Sequence, residues 1–465
     1  MEAVTDMGIE ELGLFTDLYQ LIMAQSYFEH GKNRLATFSL FIRNYPPHRH
    51  FFVAAGLATA LQYLQQVHFS STALTYLRQT GRFSEAFLTY LSTWRFRGEV
   101  WALPEGTICF THEPGIEITA PIIEAQLVES FVVNAMHFQT LIATKAARCV
   151  QAAQGRHLMD FSLRRTHATD AAMKVARSSY LVGFDSTSNV LAGQRYGIPI
   201  AGTMAHSYVT SFTDEIDAFR AFAQTFPQQT VLLIDTYDTL AGARRAAVVG
   251  QEMVQRGQRL LGVRLDSGDM TMLSKEVRAI LDAAGLPDVH IVASGGFDEY
   301  AIAQAVRDGA CIDVFGVGTK MGVAADAPYY DMAYKLVKYD GRPVMKLSSG
   351  KATLVEEKQV WRCTSDGQDV ADIIALRGEK LNQPDAHPLL TCVMQTGHVV
   401  QPLPCLEASR VYHAEQMARL PISYKRLDVE APYPVELSAA LASTQQAVEA
   451  ALQGESHANT SLNSS

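Results

Sequence analysis

A chain of 465 residues exceeds one ordinary domain of about 100 to 200 residues, so two structural parts are expected, each with enough of the 48% hydrophobic content to bury a core. A formal net charge of -9, with basic residues scattered or in short pairs, excludes the clustered Lys and Arg that a nucleic-acid binder needs. Six widely spaced cysteines (Cys109, Cys149, Cys311, Cys363, Cys392 and Cys405) form no CxxC, which argues against a zinc site or a disulfide framework and suits a reducing cytosol.

Met1–Asp6 carries no basic segment leading into an apolar one, and no run reaches the ~18 apolar residues of a membrane span; a cytoplasmic protein without membrane contact is expected. From Leu12 to Gly31 the spacing of Leu14, Leu18, Leu21, Ile22 and Phe28 predicts a helix. Leu35–Asn44 predicts a strand with Phe38, Leu40 and Ile42 on one face, stopped by Pro46-Pro47. Helical patterns fill residues 54–95, and Gly98–Ile122 breaks into strand-like pieces. Residues 1–130 therefore predict an α+β domain.

An Ala-rich helix ending near Ala153 leads into a different organisation, assigned to residues 131–340. Seven short β-type runs recur: Leu158–Leu163, Leu181–Phe184, Ile198–Gly202, Val231–Ile234, Leu260–Leu265, Val289–Ala293 and Ile312–Gly316. Amphipathic helical patterns separate most of them, for example Tyr300–Val306 before Gly309. Such alternation predicts a parallel sheet covered by helices, an α/β barrel that is closed or nearly so. Beyond about residue 340, Pro343–Leu347 and Gly350–Arg362 predict strands that return to the first domain and complete it through about residue 453. The small, polar stretch 454–465 predicts a disordered tail.

Polar and glycine residues follow each of the seven runs. They include Arg164-Arg165, Ser188, Thr203, His206-Ser207, Asp235, Asp238, Arg264–Asp269, Ser294-Gly295-Gly296 and Gly316–Thr319. This is the strand edge where α/β enzymes build their sites. The glycine turns either bring backbone amides to a phosphate or serve as tight βα turns. Arg264 and Asp266, two apart, project to one side: they either hold an anion and a sugar hydroxyl or pair with each other. Asp235 and Asp238 either orient metal-bound water and balance a cationic transition state or cap the helix from Thr239. His206 taken alone is more often structural or surface than functional, and Tyr19 by pattern is a core or interface aromatic.

Taken together, these segments resemble the nicotinate phosphoribosyltransferase family, of the type II phosphoribosyltransferase fold. The resemblance runs from Thr16-Asp-Leu-Tyr19-Gln20 through Asp160-Phe-Ser-Leu-Arg-Arg165, Gly183–Gly193, Gly202–Ser207, Ile234–Thr239, Arg264–Asp269 and Phe315–Thr319 to Lys358–Arg362. It implies transfer of phosphoribosyl from phosphoribosyl pyrophosphate to nicotinate in NAD salvage, with Mg²⁺ carried by the pyrophosphate and ATP as co-substrate. No protein metal ligands are assigned. By the resemblance, Phe161 and Tyr19 sandwich the pyridine ring, with Tyr19 coming from the second subunit of a homodimer. Arg264 contacts the nicotinate carboxylate, Asp266 the ribose and Arg164 the pyrophosphate. Gly295, Gly296, Gly316 and Gly318 line the 5′-phosphate pocket, and His206 is the phosphorylated histidine. Asp235 joins the catalytic group; Arg165, Thr203, Ser207, Asp238 and Thr319 join the substrate-binding group.

Three other readings stand beside it. Nicotinamide phosphoribosyltransferases resemble the same pattern but tend to carry aspartate where this chain has Ser188, which favours the acid substrate here. A binding protein that has lost turnover would keep the fold, and an aldolase-like barrel would need Lys320 as its Schiff-base lysine.

Overall fold

The computed structural model describes residues 8–347, 353–383, 385–428 and 431–462. The chain folds as two compact units, residues 1–141 with 329–465, and residues 142–328. The boundaries thus fall at 141/142 and 328/329, not at 130 and 340. The reason lies in one 25-residue helix, Glu129–Ala153, which crosses the first boundary without any stop signal in its sequence.

Among the described residues of the first unit, an antiparallel seven-stranded sheet runs in the order Arg342–Pro343, Met332–Tyr339, Leu35–Ile42, Ile116–Pro121, Glu99–Ala102, Thr391–Gln395 and His398–Val399. The C-terminal part does return to complete the N-terminal sheet. Leu35–Ile42 is central and buried on both faces beyond its first residue, so Thr37 and Ser39 are as hidden as Phe38 and Leu40. Thr37 stays satisfied by pairing its hydroxyl with Thr119 at 2.9 Å. Phe38 stacks on Tyr334 across the sheet with ring centroids 4.8 Å apart.

Several expectations are corrected here. The predicted helix Leu12–Gly31 is interrupted: a 3₁₀ turn covers Ile9–Leu14 and the α-helix begins only at Leu18, because Asp17 takes extended backbone. The strand at Pro343–Leu347 shrinks to Arg342–Pro343, since proline offers no ladder N–H. That at Gly350–Arg362 becomes Lys358–Ser365, with 350–352 outside the described residues, as is Met1–Asp6. The last helix, Ala439–Leu462, continues through residues expected to form a disordered tail. Extending an Ala-rich helix by one more residue is far easier than starting one.

The second unit contains six parallel strands: β1 (His157–Asp160), β2 (Ser186–Thr187), β3 (Val231–Leu233), β4 (Gly262–Leu265), β5 (His290–Ser294) and β6 (Val314–Val317). Their spatial order is β2-β1-β6-β5-β4-β3, every pair parallel. Because β6 lies beside β1, the order is a cyclic run 3-4-5-6-1-2, which is a barrel left open between β2 and β3. That is the incomplete α/β barrel expected from the sequence.

Two of the seven predicted strands account for the opening. Leu181–Phe184 is apolar because it ends the helix Thr169–Leu181 and turns at Gly183, so the strand starts only at Ser186. Ile198–Gly202 contributes a single bridge, Thr187 with Ile200, since Pro199 can accept from Thr187 but cannot donate. Under the sheet, Leu232, Ile234, Val263, Leu265 and Ile291 pack with the helices that follow β3 and β4 in one fully buried cluster.

Candidate active site

The six parallel strands end in register, with Thr187 opposite Asp160, Asp160 opposite Val317, Gly316 opposite Ser294, and Arg264 opposite both Leu233 and Val292. Loops leaving this edge are closed by helix caps. Asn189, Asp238, Asp269 and Asp298 each accept a hydrogen bond from an amide in the first turn of the following helix, at 3.1, 2.7, 3.0 and 2.9 Å. Asp238 thus caps the helix from Thr239 through one carboxylate oxygen.

Asp160, at the end of β1, is fully buried and accepts from the Ser162 amide (2.9 Å), the Ser162 hydroxyl (2.6 Å) and the Thr187 hydroxyl (2.8 Å). Burial raises its carboxyl above the usual range, and these three donors oppose that. It ties the ends of β1 and β2 together and fixes the loop that presents Phe161. The Phe161 ring lies on Gly316, where a Cβ would come within 2.6 Å of the ring. Glycine at that position is thus what lets the aromatic ring sit over the strand end. Gly318 backs the same residue: a Cβ there would lie 3.1 Å from the Phe161 carbonyl oxygen. Arg164 and Arg165 follow on an exposed 3₁₀ turn.

Arg264 and Asp266 do not pair off as an isolated salt bridge. The guanidinium donates to the Thr203 hydroxyl at 2.7 Å, while its Nε is buried without a hydrogen-bond partner among the described residues. Burial lowers the affinity of Arg264 for its proton; Asp266 and Asp235 restore part of it, and Arg164 works against it. A half-buried guanidinium with an orphaned N–H and a second arginine in electrostatic reach is suited to an anion that supplies the missing acceptor.

Asp266 accepts from the Ser294 hydroxyl at 2.5 Å. Asp235 accepts from the Asp266 amide (3.0 Å) and the Ser267 hydroxyl (2.6 Å) through one oxygen, while its other oxygen is buried and unpartnered among the described residues. His206 stands between these loops, with Nδ1 3.1 Å from the Thr236 hydroxyl and Nε2 3.7 Å from Asp266. Gly295 and Gly296, both at positive φ, follow Ser294. Gly295 is pressed against Asp266, where a Cβ would lie 2.2 Å from the Asp266 carbonyl oxygen.

The edge therefore gathers Phe161, Arg264, Asp266, Asp235, His206, Thr203 and the glycine turns. Ser188 is half-buried beside them, its amide bonded to the Asp160 carbonyl at 2.9 Å, and Ser207 and Thr319 are exposed on their short helices. Lys320 pairs with Asp298 at 2.9 Å, which commits the lysine that an aldolase-like site would need. Tyr19 belongs to the first unit: it is half-exposed on the helix Leu18–Glu29, its hydroxyl accepts from Gln20 at 3.3 Å, and it lines an open cavity of about 600 Å³. Among the described residues no group of three or more His, Cys, Asp or Glu could hold a metal ion, and no helix is long and apolar enough to cross a membrane.

Asp160, Thr236 and Ser294 hold the functional side chains in place, yet sequence reasoning gave none of the three a role. Their only signal was position: Asp160 and Ser294 end parallel strands, and Thr236 lies three residues past the end of one.

An open α/β barrel with arginine, carboxylate, histidine and glycine turns on one strand edge defines a class of enzyme that acts on an anionic, phosphorylated sugar substrate. Comparison with known proteins narrows the class. Residues 156–364 match the model of the nicotinate phosphoribosyltransferase family, residues 14–137 its N-terminal domain and residues 380–445 its C-terminal domain. The chain is 48% identical to nicotinate phosphoribosyltransferase pncB2 of Mycobacterium tuberculosis, over 91% of each chain. It is 38% identical to nicotinate phosphoribosyltransferase of Bacillus subtilis, over 92% of this chain and 93% of the relative. The crystal structure of human nicotinic acid phosphoribosyltransferase superimposes with a TM-score of 0.83 at 30% identity, covering 93% of this chain and 99% of the human one. The chain belongs to the nicotinate phosphoribosyltransferase family.

Proposed function

We propose that this enzyme transfers the 5-phosphoribosyl group of phosphoribosyl pyrophosphate to the ring nitrogen of nicotinate, releasing pyrophosphate, and couples the reaction to ATP hydrolysis through phosphorylation of His206. The observation that carries the reading is Arg264, a half-buried guanidinium with an unpartnered Nε at a strand end: it calls for an anionic ligand group, which the nicotinate carboxylate supplies.

Each remaining group has a place in this reaction. Phe161 offers a ring face to the pyridine, and Tyr19 covers the other face from the second subunit of a homodimer. Departure of pyrophosphate leaves positive charge on the ribose, which Asp266 and Asp235 stabilise, while Arg164 and Arg165 draw off the leaving group. The amides at Gly295-Gly296 and Gly316–Thr319 receive the 5′-phosphate. Mg²⁺ enters bound to the pyrophosphate and needs at most one or two protein carboxylates, for which the free oxygen of Asp235 is suited. The product enters NAD synthesis in the cytoplasm.

Nicotinamide is the competing substrate. Ser188 places no charge where a carboxylate would repel nicotinate, so the acid is favoured. Parallel assays with nicotinate and nicotinamide, each with and without ATP, test the whole proposal. Turnover of nicotinate stimulated by ATP is expected, and equal turnover of nicotinamide would overturn it.

A further inference from the structure

The two glycine turns assigned to the 5′-phosphate leave neighbouring strands. Gly295-Gly296 follows β5 and leads through Asp298 into the helix Glu299–Arg307, and Gly316–Thr319 closes β6 and opens the short helix Thr319–Gly322. A phosphate that takes amides from both turns needs them converged within hydrogen-bond reach of one anion, so a small shift of either turn loosens the grip. Strand pairing fixes the two chains only as far as Ser294 opposite Gly316. Beyond that point the turns depend on other ties.

Two of these ties are ionic. The exposed one joins Lys320, in the second turn, to Asp298, after the first, at 2.9 Å; the other Asp298 oxygen caps the helix at the Ala301 amide. The buried one is made by Lys145, on the helix Glu129–Ala153, whose side chain is only 1% exposed. Its ammonium pairs with the fully buried Glu299 carboxylate and donates to Asp326 at 2.6 Å. Glu299 opens the helix behind the first turn. Asp326 belongs to the chain behind the second, where the Ala325 amide donates to the Lys320 carbonyl at 3.0 Å. Arg148 donates to Glu299 at 2.9 Å, so two cations meet two carboxylates in this cluster. Burial pulls the proton affinity of Lys145 down, and Glu299, with Cys149 and Asp326, more than restores it, so the ammonium stays charged. Attraction in a buried ion pair is largely offset by desolvation, and apolar side chains would fill the same space as well. An ammonium with three donors supplies what they lack, a directional link between carboxylates on two separate loops. We propose that Lys145 is a positioning residue for the 5′-phosphate: by bridging Glu299 and Asp326 it holds the two glycine turns at the separation that one phosphate spans. This rests on the reading of those turns as the phosphate pocket.

The test compares wild type, Lys145→Met, Asp326→Ala and the double variant, with calorimetric binding of ribose 5-phosphate and of pyrophosphate measured beside steady-state kinetics. K145M should weaken ribose 5-phosphate about tenfold and raise KM for phosphoribosyl pyrophosphate by a similar factor, the scale of one weakened charge-assisted hydrogen bond. Pyrophosphate affinity and KM for nicotinate, which depend on other loops, should stay near wild type. D326A removes one end of the same bridge and should act likewise. The double variant should be no weaker than K145M, since one bridge can be lost only once. Wild-type affinity for ribose 5-phosphate in folded K145M, equal losses for pyrophosphate and ribose 5-phosphate, or additive losses in the double variant would each overturn the inference while leaving the phosphate pocket in place. Failure of the wild type to bind ribose 5-phosphate would instead remove that reading, and the inference with it. If K145M does not fold, D326A, at a partly exposed position, decides by the same measurements.

Discussion

Replacing Gly295 by alanine separates a glycine that merely turns the chain from one that holds the site in place. Its φ of +98 costs an alanine roughly 1 to 2 kcal/mol of local strain. The larger effect is steric. The new Cβ would lie 2.2 Å from the Asp266 carbonyl oxygen, and relieving it moves that backbone by about 1 Å. Asp266 is held at its amide by Asp235 and at its carboxylate by Ser294, so the displacement reaches the carboxylate proposed to face the ribose. A misplacement of about 1 Å at a reacting centre costs on the order of 100-fold, or about 2.7 kcal/mol of transition-state stabilisation. Gly296→Ala is the control: its φ is also positive, but a Cβ there meets nothing within 4 Å. Steady-state kcat/KM for phosphoribosyl pyrophosphate should fall about 100-fold in G295A and only a few-fold in G296A, with both melting as folded proteins. A folded G295A within threefold of wild type, or equal losses in the two variants, would refute the argument.

Arg264→Ala should raise KM for nicotinate by about 10- to 100-fold, the range of a lost charge-assisted hydrogen bond, and spare nicotinamide; equal losses would contradict a carboxylate partner. His206→Ala should abolish ATP stimulation of nucleotide formation while leaving the thermal transition in place, and unchanged stimulation would end the phosphohistidine assignment. Mixing an inactive Tyr19→Ala protein with an inactive Arg264→Ala protein should recover activity in hybrid dimers; no recovery would speak against shared sites. In the first unit, burial, helped by neighbouring Asp372, raises the Glu113 carboxyl well above its usual range. The folded state therefore binds this proton more tightly than the unfolded chain, and its contribution to stability is lost as pH rises toward the folded value. Glu113→Gln should flatten the fall in melting temperature as pH rises above the ordinary carboxylate range, and an unchanged slope would reject the assignment.

The architecture was legible where one physical cause dominates one pattern. Short apolar runs between amphipathic stretches exposed the parallel sheet, since strands buried on both faces lose their alternation. The same rule misled at Leu181–Phe184, because an apolar run that closes a helix reads like a short strand, and at Ile198–Gly202, where the proline leaves one bridge in place of a ladder. The break before Leu18 was hidden because Asp17 changes only the backbone angle, not the apolar spacing. Boundaries failed for a related reason: the helix Glu129–Ala153 keeps one composition while crossing from the first unit into the second.

Within the site, residue type located the chemistry but not its division of labour. Asp235 and Asp238, like Asp266 and Asp269, are carboxylates three residues apart on a strand-to-helix loop, and composition treats the members of each pair alike. The structure assigns them by place. The first of each pair lies one or two residues past the strand and turns inward, Asp235 to the Asp266 amide and Asp266 to Ser294. The second caps the helix. The distinction follows from geometry that any βα loop of this length imposes: only the residue nearest the strand end can reach a neighbouring strand, and only the residue before the first helical turn can meet its free amides. Thr236 lies between two such roles, adjacent to Asp235 and within reach of the histidine from the preceding loop. Its partner is 30 residues away in the chain, which is why its place beside His206 appears only when the fold is in hand.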